Sequence, residues 1–277
     1  MKPDGSVKIP RERFRPYVLL CGSILTIAVL FSRSAQETFQ TPGLFSSHSR
    51  LAGLPQIMLW AWERPENLNF IDPREVGVAF LAGTLYLRGE KVVVRPRLQP
   101  LQVADGTALM AVVRIETDQL EPPQFSPSQQ TQTITAITKL TRLPSVAALQ
   151  VDFDAKASEH AFYRSLLHEL RHQLPDTFGL SITALASWCL HDNWLSDLPI
   201  GEAVPMLFRM GADHRQVLLH LQAGKDFRSA VCRHSLGIAT DEPLPNLPAG
   251  RRVYLFHPRP WSAQIAHDTI TEVKQWQ

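Results

Sequence analysis

Two short stretches place residues at spacings that chemistry uses. The first, "LLHELRHQLP" (166–175), contains His168-Glu169-Leu170-Arg171-His172. Histidines one helical turn apart can share a zinc ion, with the glutamate between them as base. The second, "LQVDFD" (149–154), alternates apolar with polar residues. Successive strand residues point to opposite faces, so Gln150, Asp152 and Asp154 share one face and Leu149, Val151 and Phe153 the other. Burying two carboxylates is costly unless cations or hydrogen bonds meet them. Carboxylates with shifted pKa values are also what general acid–base catalysis requires.

The zinc reading is the weaker of the two. On a helix over 158–174 the apolar residues Phe162, Tyr163, Leu166, Leu167, Leu170 and Leu174 cluster within an arc of roughly 140°. His168 and His172 point away from that arc, and Arg171 adds a cation between them. The longer zinc-protease pattern needs glycine and histidine where Pro175 and Phe178 stand. A zinc peptidase is therefore a minor alternative, and no metal or other cofactor is expected.

The elements that must position the aspartates come next. Apolar or β-branched runs recur at 56–62, 76–82, 108–116, 146–154, 180–188, 204–210, 235–240 and 252–257, each bounded by Gly, Pro or polar clusters. Near-continuous apolar runs are what strands buried on both faces look like. Helical patterns separate several of them, over 126–143 (opening with Ser126-Pro127), 158–174, 213–223 and from Ser262. Eight strands with helices between most of them outline an α/β fold, a (β/α)8 barrel of TIM type. Its first half is irregular: "TLYLRGEKVVVRPR" reads as a hairpin turning at Gly89-Glu90 where a helix would follow the second strand. An open α/β sheet is the alternative.

Barrel sites lie at the C-terminal ends of the strands. Asp152 and Asp154 end the fourth strand, Arg114 and Glu116 end the third, and Arg209 ends the sixth. Trp60 and Trp62 end the first, with Glu63 after them, Trp188 ends the fifth, and Asp241 and Trp261 follow the last two. An aromatic rim around carboxylates suits sugar rings, whose C–H faces stack on indoles. One reading is an Arg–Asp network that fills a wide barrel. The other is a glycosidase site in which Asp154, nearest the mouth, is the general acid. Asp152, Glu116, Glu63 or Asp241 would then supply the second carboxylate. The Asp-x-Asp at this strand end is similar to the fourth-strand ends of some glycosidases, which continue to a glutamate two residues on. Here that residue is Lys156, so their mechanism is not carried over.

The rest of the chain bounds these readings. Its 277 residues are 44% hydrophobic and 19% charged, ordinary values for a globular protein. Five of the cations behind the net charge of +2 (Lys2, Lys8, Arg11, Arg13 and Arg15) fall in the first fifteen residues. No basic patch for nucleic acid remains. That basic flank precedes the uncharged run 17–31, as in a signal peptide or an uncleaved signal anchor. The expected layout is a signal or anchor over 1–35, a polar linker over 36–53 and the barrel over 54–277. The barrel would be exported to the periplasm, and held at the inner membrane through 17–31 if the segment is uncleaved. Cys189 and Cys232 lie in apolar surroundings typical of buried free thiols, although a bridge is open to them.

Four segments, "LQVDFDAKASEHAFYRSLL", "LSITALASWC", "EAVPMLFRMG" and "SLGIATDEP", resemble the uncharacterised bacterial domain-of-unknown-function family 3142. The resemblance runs over roughly residues 54 to 261 and implies a barrel-like exported domain with no established activity. The combined expectation is a barrel resembling glycoside hydrolases with a carbohydrate ligand. The alternative is a non-catalytic barrel that binds a glycan or an envelope protein through the same mouth.

Overall fold

A computed structural model describes residues 47–243 and 247–276, within a compact unit of Leu44–Gln277. The expected signal or anchor segment and residues 36–46 of the linker lie outside the described residues. Among the described residues no helix is long and apolar enough to cross a membrane.

The strands are β1 (Ile57–Ala61), β2 (Glu66–Leu68), β3 (Val76–Arg88), β4 (Lys91–Pro96), β5 (Leu101–Val103), β6 (Leu109–Thr117), β7 (Val146–Asp152), β8 (Gly179–Leu185), β9 (Glu202–Met206), β10 (Ser235–Ala239) and β11 (Arg252–Phe256). The helices are α1 (Pro127–Thr141), α2 (His160–Gln173), α3 (Ala186–His191), α4 (His214–Gln222) and α5 (Ala263–Trp276). The eight strands β1, β3, β6, β7, β8, β9, β10 and β11 pair in parallel, and β1 closes the ring by pairing with both β3 and β11. The TIM-type barrel is therefore observed.

Its irregular half takes the expected form. β3 runs on past the barrel and turns at Gly89-Glu90 into antiparallel β4, with Arg88 opposite Lys91. Gly89 takes a φ of 46°, the left-handed region that a tight hairpin turn asks for. Helix α1 anchors the turn, since Gln129 Nε2 donates to the carbonyls of Gly89 and Lys91. Ser126 caps that helix, its Oγ accepting from Gln129 N at 3.2 Å. A small parallel pair, β2 with β5, occupies the connections in which helices are missing.

Two apolar layers hold the barrel. Outward-facing Leu149, Val151 and Phe153 join a core with Phe162, Tyr163, Leu166, Leu167 and Leu170 of α2. Inward-facing Met58, Trp60, Met110, Val112, Val204 and Tyr254 fill the barrel itself. Gly237 makes room for this filling, because a Cβ there would stand 2.8 Å from the Trp60 ring.

Three expectations are corrected. Residues 47–53 are not linker: Ser47–Leu51 is a 3-10 turn, and Leu51 and Leu54 are buried inside the barrel. Arg252 fixes this plug by donating to the Leu51 carbonyl at 2.7 Å and the Pro55 carbonyl at 3.0 Å. The fifth barrel strand stops at Leu185, so Trp188 lies in helix α3, and the sixth stops at Met206, before Arg209. Cys189 and Cys232 are not free thiols but a disulfide, with Cα atoms 5.8 Å apart. The backbone brings them together because the Cys189 carbonyl accepts from Arg228 N and Ser229 N, which draws the 230–233 turn onto α3.

Candidate active site at the barrel mouth

β7 delivers its polar face into the barrel in three steps. Gln150, fully buried, accepts from Trp60 Nε1 at 2.9 Å and donates to Ser181 Oγ at 3.2 Å. One step up, Asp152 Oδ1 accepts from Thr183 Oγ1 at 2.6 Å, and its Oδ2 lies 3.8 Å from Arg114 Nη1. The strand ends there. A turn closed by Ala155 N donating to the Phe153 carbonyl at 2.8 Å is centred on Asp154 and presents it at the mouth. Tyr163 holds the strand from behind through its hydroxyl on the Val151 carbonyl.

The electrostatics follow from this placement. Burial pushes the Asp152 carboxyl up to about 6, reinforced by the charge of Asp154 and opposed by the Thr183 hydrogen bond and Arg114. Asp154 is also raised, by partial desolvation and by Glu116, with Arg114 opposing. Burial works against the Arg114 cation, but Asp152 and Glu116 outweigh it and raise its pKa. Arg114 Nε is 2.7 Å from Glu116 Oε1. Asp154 is exposed and makes no hydrogen bond or ion pair among the described residues. It is the free carboxylate of the group.

Around these residues opens a cleft of about 180 Å³, lined by Trp60, Trp62, Arg114, Asp152, Asp154, Thr183, Met206, Phe208, Arg209 and Phe256. Phe208 and Phe256 stack with ring centroids 5.5 Å apart and planes 3° apart. The Arg209 guanidinium lies over both, 5.6 and 5.2 Å from the ring centres. Trp62 meets Phe256 edge-on, and Trp60 stacks on Tyr254. Arg209 has a φ of 50°. That left-handed backbone is unusual for a side chain of this size and marks a constrained position. Glu242 accepts its N–H at 3.0 Å, and Asp241 takes its guanidinium at 2.9 Å.

Of the expected site residues, the fold brings Asp152, Asp154, Arg114, Arg209, Trp60 and Trp62 into one cleft. Glu116 and Asp241 stand one contact outside it, as partners of Arg114 and Arg209. Glu63 is exposed and does not line it. Trp188 and Trp261 are corrected. Trp188 is buried in α3 against His160 and Trp194, and Trp261 is buried behind β1 with its Nε1 on the Trp60 carbonyl. Thr183, Met206, Phe208 and Phe256 were not anticipated. Thr183, Met206 and Phe256 keep the inward alternation of β8, β9 and β11, and Phe208 continues it two residues past β9.

Beneath the cleft lies a second unanticipated group. Glu202, fully buried, receives Arg252 Nη1 at 2.9 Å, the Tyr254 hydroxyl at 2.5 Å and Ser181 Oγ at 3.3 Å. Through Ser181 and Gln150 this network reaches Trp60 and fixes the indole under the mouth. The zinc motif lies elsewhere. His168 and His172 are exposed on the outer face of α2, and Glu169 bonds Gln173. Among the described residues no cluster of His, Cys, Asp and Glu could hold a metal.

A search of curated proteins finds no match to this chain. A crystal structure from Streptomyces coelicolor, assigned by name to chitinase A, superposes with a TM-score of 0.49 at 7% identity. The superposition covers 79% of this chain and 95% of that one, and no property of the site follows from it. Residues 105–206, from the approach to β6 through β9, match the model of the domain of unknown function DUF3142.

Proposed function

We propose that the barrel mouth binds a glycan and hydrolyses a glycosidic bond by carboxylate chemistry. The observation that carries this reading is Asp154, a free carboxylate with a raised pKa at the wall of an aromatic cleft, directly above the buried Asp152. A sugar ring lies with its C–H face against Trp62, Phe208 or Phe256. Asp154, in its protonated form, donates to the glycosidic oxygen as the C–O bond breaks. Asp152 is the second carboxylate: ionised above about pH 6, it stabilises the positive charge that grows on the anomeric carbon, while the sugar that covers Asp154 removes its water and holds its proton. Water then adds to that carbon and gives its proton to a carboxylate of the pair. Thr183 and Arg114 hold Asp152 in place for this role. The disulfide supports an exported location, since such bonds persist in oxidising compartments.

A specific observation favours a second reading, a barrel that binds a glycan or an envelope protein without cleaving it. Asp152 and Glu116 both lie on Arg114, and Lys156 is exposed and outside the cleft lining. Asp154 is then the one free acid lining the aromatic cleft among the described residues, where two-carboxylate hydrolysis uses a pair.

The experiment is a panel of bacterial and plant polysaccharides incubated with the full chain, measured for binding and for soluble product. Trp62→Ala should weaken binding of the preferred glycan about tenfold, the loss of one aromatic platform. Binding without product would select the second reading. No binding by any member would remove both.

A further inference from the structure

One edge of β3 pairs with β6 over residues 78–87. The other edge pairs first with β1, over 76–80, and then with β4, over 83–88. The return arm of the hairpin therefore takes up the line of β1 just beyond Ala61, where β1 stops. A strand that ends leaves carbonyls without ladder partners, and buried ones must find donors elsewhere. Arg97, the residue after Pro96 of β4, supplies them.

The Arg97 backbone is seated on β3, its N–H donating to the Ala82 carbonyl at 2.9 Å. Its half-buried guanidinium is used wholly on carbonyls. Nη1 donates to Ala61 O at 3.3 Å and to Trp62 O, Nη2 to Arg64 O at 2.6 Å, and Nε to Gln99 O at 2.9 Å. Among the described residues it forms no ion pair with a carboxylate. A planar fork of five N–H groups can reach several acceptors at once, which a lysine ammonium on a flexible stem does less precisely. All but one of these carbonyls belong to the stretch 61–64, which carries Trp62 into the cleft.

Arg64 extends the clasp. Its Nη1 donates to the Pro258 carbonyl at 3.1 Å, its Nη2 to the His257 carbonyl, and its Nε to Glu66 at 2.9 Å. Those two carbonyls follow directly on Phe256, whose ring meets Trp62 edge-on with centroids 6.5 Å apart. Arg97 thus holds the loop of Trp62, and Arg64 of that loop holds the loop of Phe256.

We propose that Arg97 is a positioning residue for the aromatic wall of the cleft. Through it the hairpin that replaces a barrel helix sets the Trp62 ring, and by way of Arg64 the Phe256 ring, in the orientation that a sugar meets. This rests on the glycan reading of the mouth.

The test uses Arg97→Met, which keeps the aliphatic stem, removes the fork and leaves no carboxylate unpaired. Fluorine NMR of the full chain labelled with fluorotryptophan reads the rings, each resonance assigned by its loss on substitution to phenylalanine. The Trp62 resonance should shift or broaden in Arg97→Met, while those of Trp188 and Trp194, packed on each other away from this loop, stay in place. Calorimetry with the polysaccharide that the wild type prefers should show binding weakened about three- to tenfold. Combined with Trp62→Ala, Arg97→Met should add nothing to the loss from Trp62→Ala alone, because both act through one ring. A Trp62 resonance that does not move would overturn the proposal. So would losses that multiply in the combined variant, since Arg97 would then act apart from Trp62. Arg97→Lys, which cannot fork between the Ala61 and Arg64 carbonyls, carries the same comparison should the methionine variant not fold. Failure of every polysaccharide to bind the wild type would overturn the glycan reading, and the Trp62 resonance would still decide what Arg97 positions.

Discussion

Replacing Asp152 by asparagine should make the protein more stable relative to wild type as the pH rises. The folded chain holds a proton on Asp152 up to about pH 6, against an ordinary value of 3.8. Between those values the folded state binds more protons than the unfolded one, so stability falls with rising pH. The protonated carboxyl's advantage is fully present below 3.8 and lost as the pH passes about 6. A shift of this size corresponds to about 3 kcal/mol, of which about 2 to 3 kcal/mol is expressed between pH 4 and pH 7. Asparagine does not titrate, and its carbonyl can still accept the Thr183 hydroxyl. Urea unfolding of both proteins across that range should therefore give curves that converge or cross. The difference in melting temperature should change by roughly 5 to 10 °C. Any fixed cost of the amide displaces the whole curve and leaves its slope. A stability difference that stays constant from pH 4 to pH 7 would refute the burial and charge account of this carboxyl.

Further outcomes follow from other parts of the structure. Removing the Cys189–Cys232 bridge by double substitution to serine, which opens a loop with a sequence separation of 43, should cost about 4 kcal/mol by chain entropy, read from urea denaturation. Gly237→Ala places a Cβ 2.8 Å from the Trp60 ring. It should cost about 1 to 3 kcal/mol, change tryptophan emission and weaken glycan binding at the mouth. His168→Ala with His172→Ala should change stability by no more than about 0.5 kcal/mol. A zinc chelator should leave every property of the protein unchanged, because both side chains are exposed on the outer face of α2.

The barrel was legible in the sequence because its strands are buried on both faces. Such strands are written as apolar runs: all eight overlap the segments that the runs mark, and β1, β7, β10 and β11 lie wholly within them. Asp152 and Asp154 were legible for the same reason. Polar residues at every second position of an otherwise apolar strand have to face inward, and Gln150, Asp152 and Asp154 do so. Trp188 was misplaced because "ALASWC" is apolar but for Ser187, and a buried helix turn and a strand then look alike. The Leu51 plug was missed because one or two apolar residues in a polar segment carry no period, and their burial is decided by an open barrel end far away in the chain. The Cys189–Cys232 pairing is likewise a matter of distance in space, which spacing along the chain does not encode. Phe208 and Phe256 become a stacked platform only once β9 and β11 are neighbours of β10.

The central claim is that Asp154 does chemistry on a glycan held at the mouth. Its most direct test is Asp154→Asn, assayed for binding and for product release on the glycan that the wild type prefers. Asp154 is exposed, and the described structure gives it no partner to lose, so the variant should fold and bind as the wild type does. Loss of a positioned general acid predicts release slowed by about 10² to 10⁴ with binding unchanged. Release at the wild-type rate would contradict the assignment of the acid.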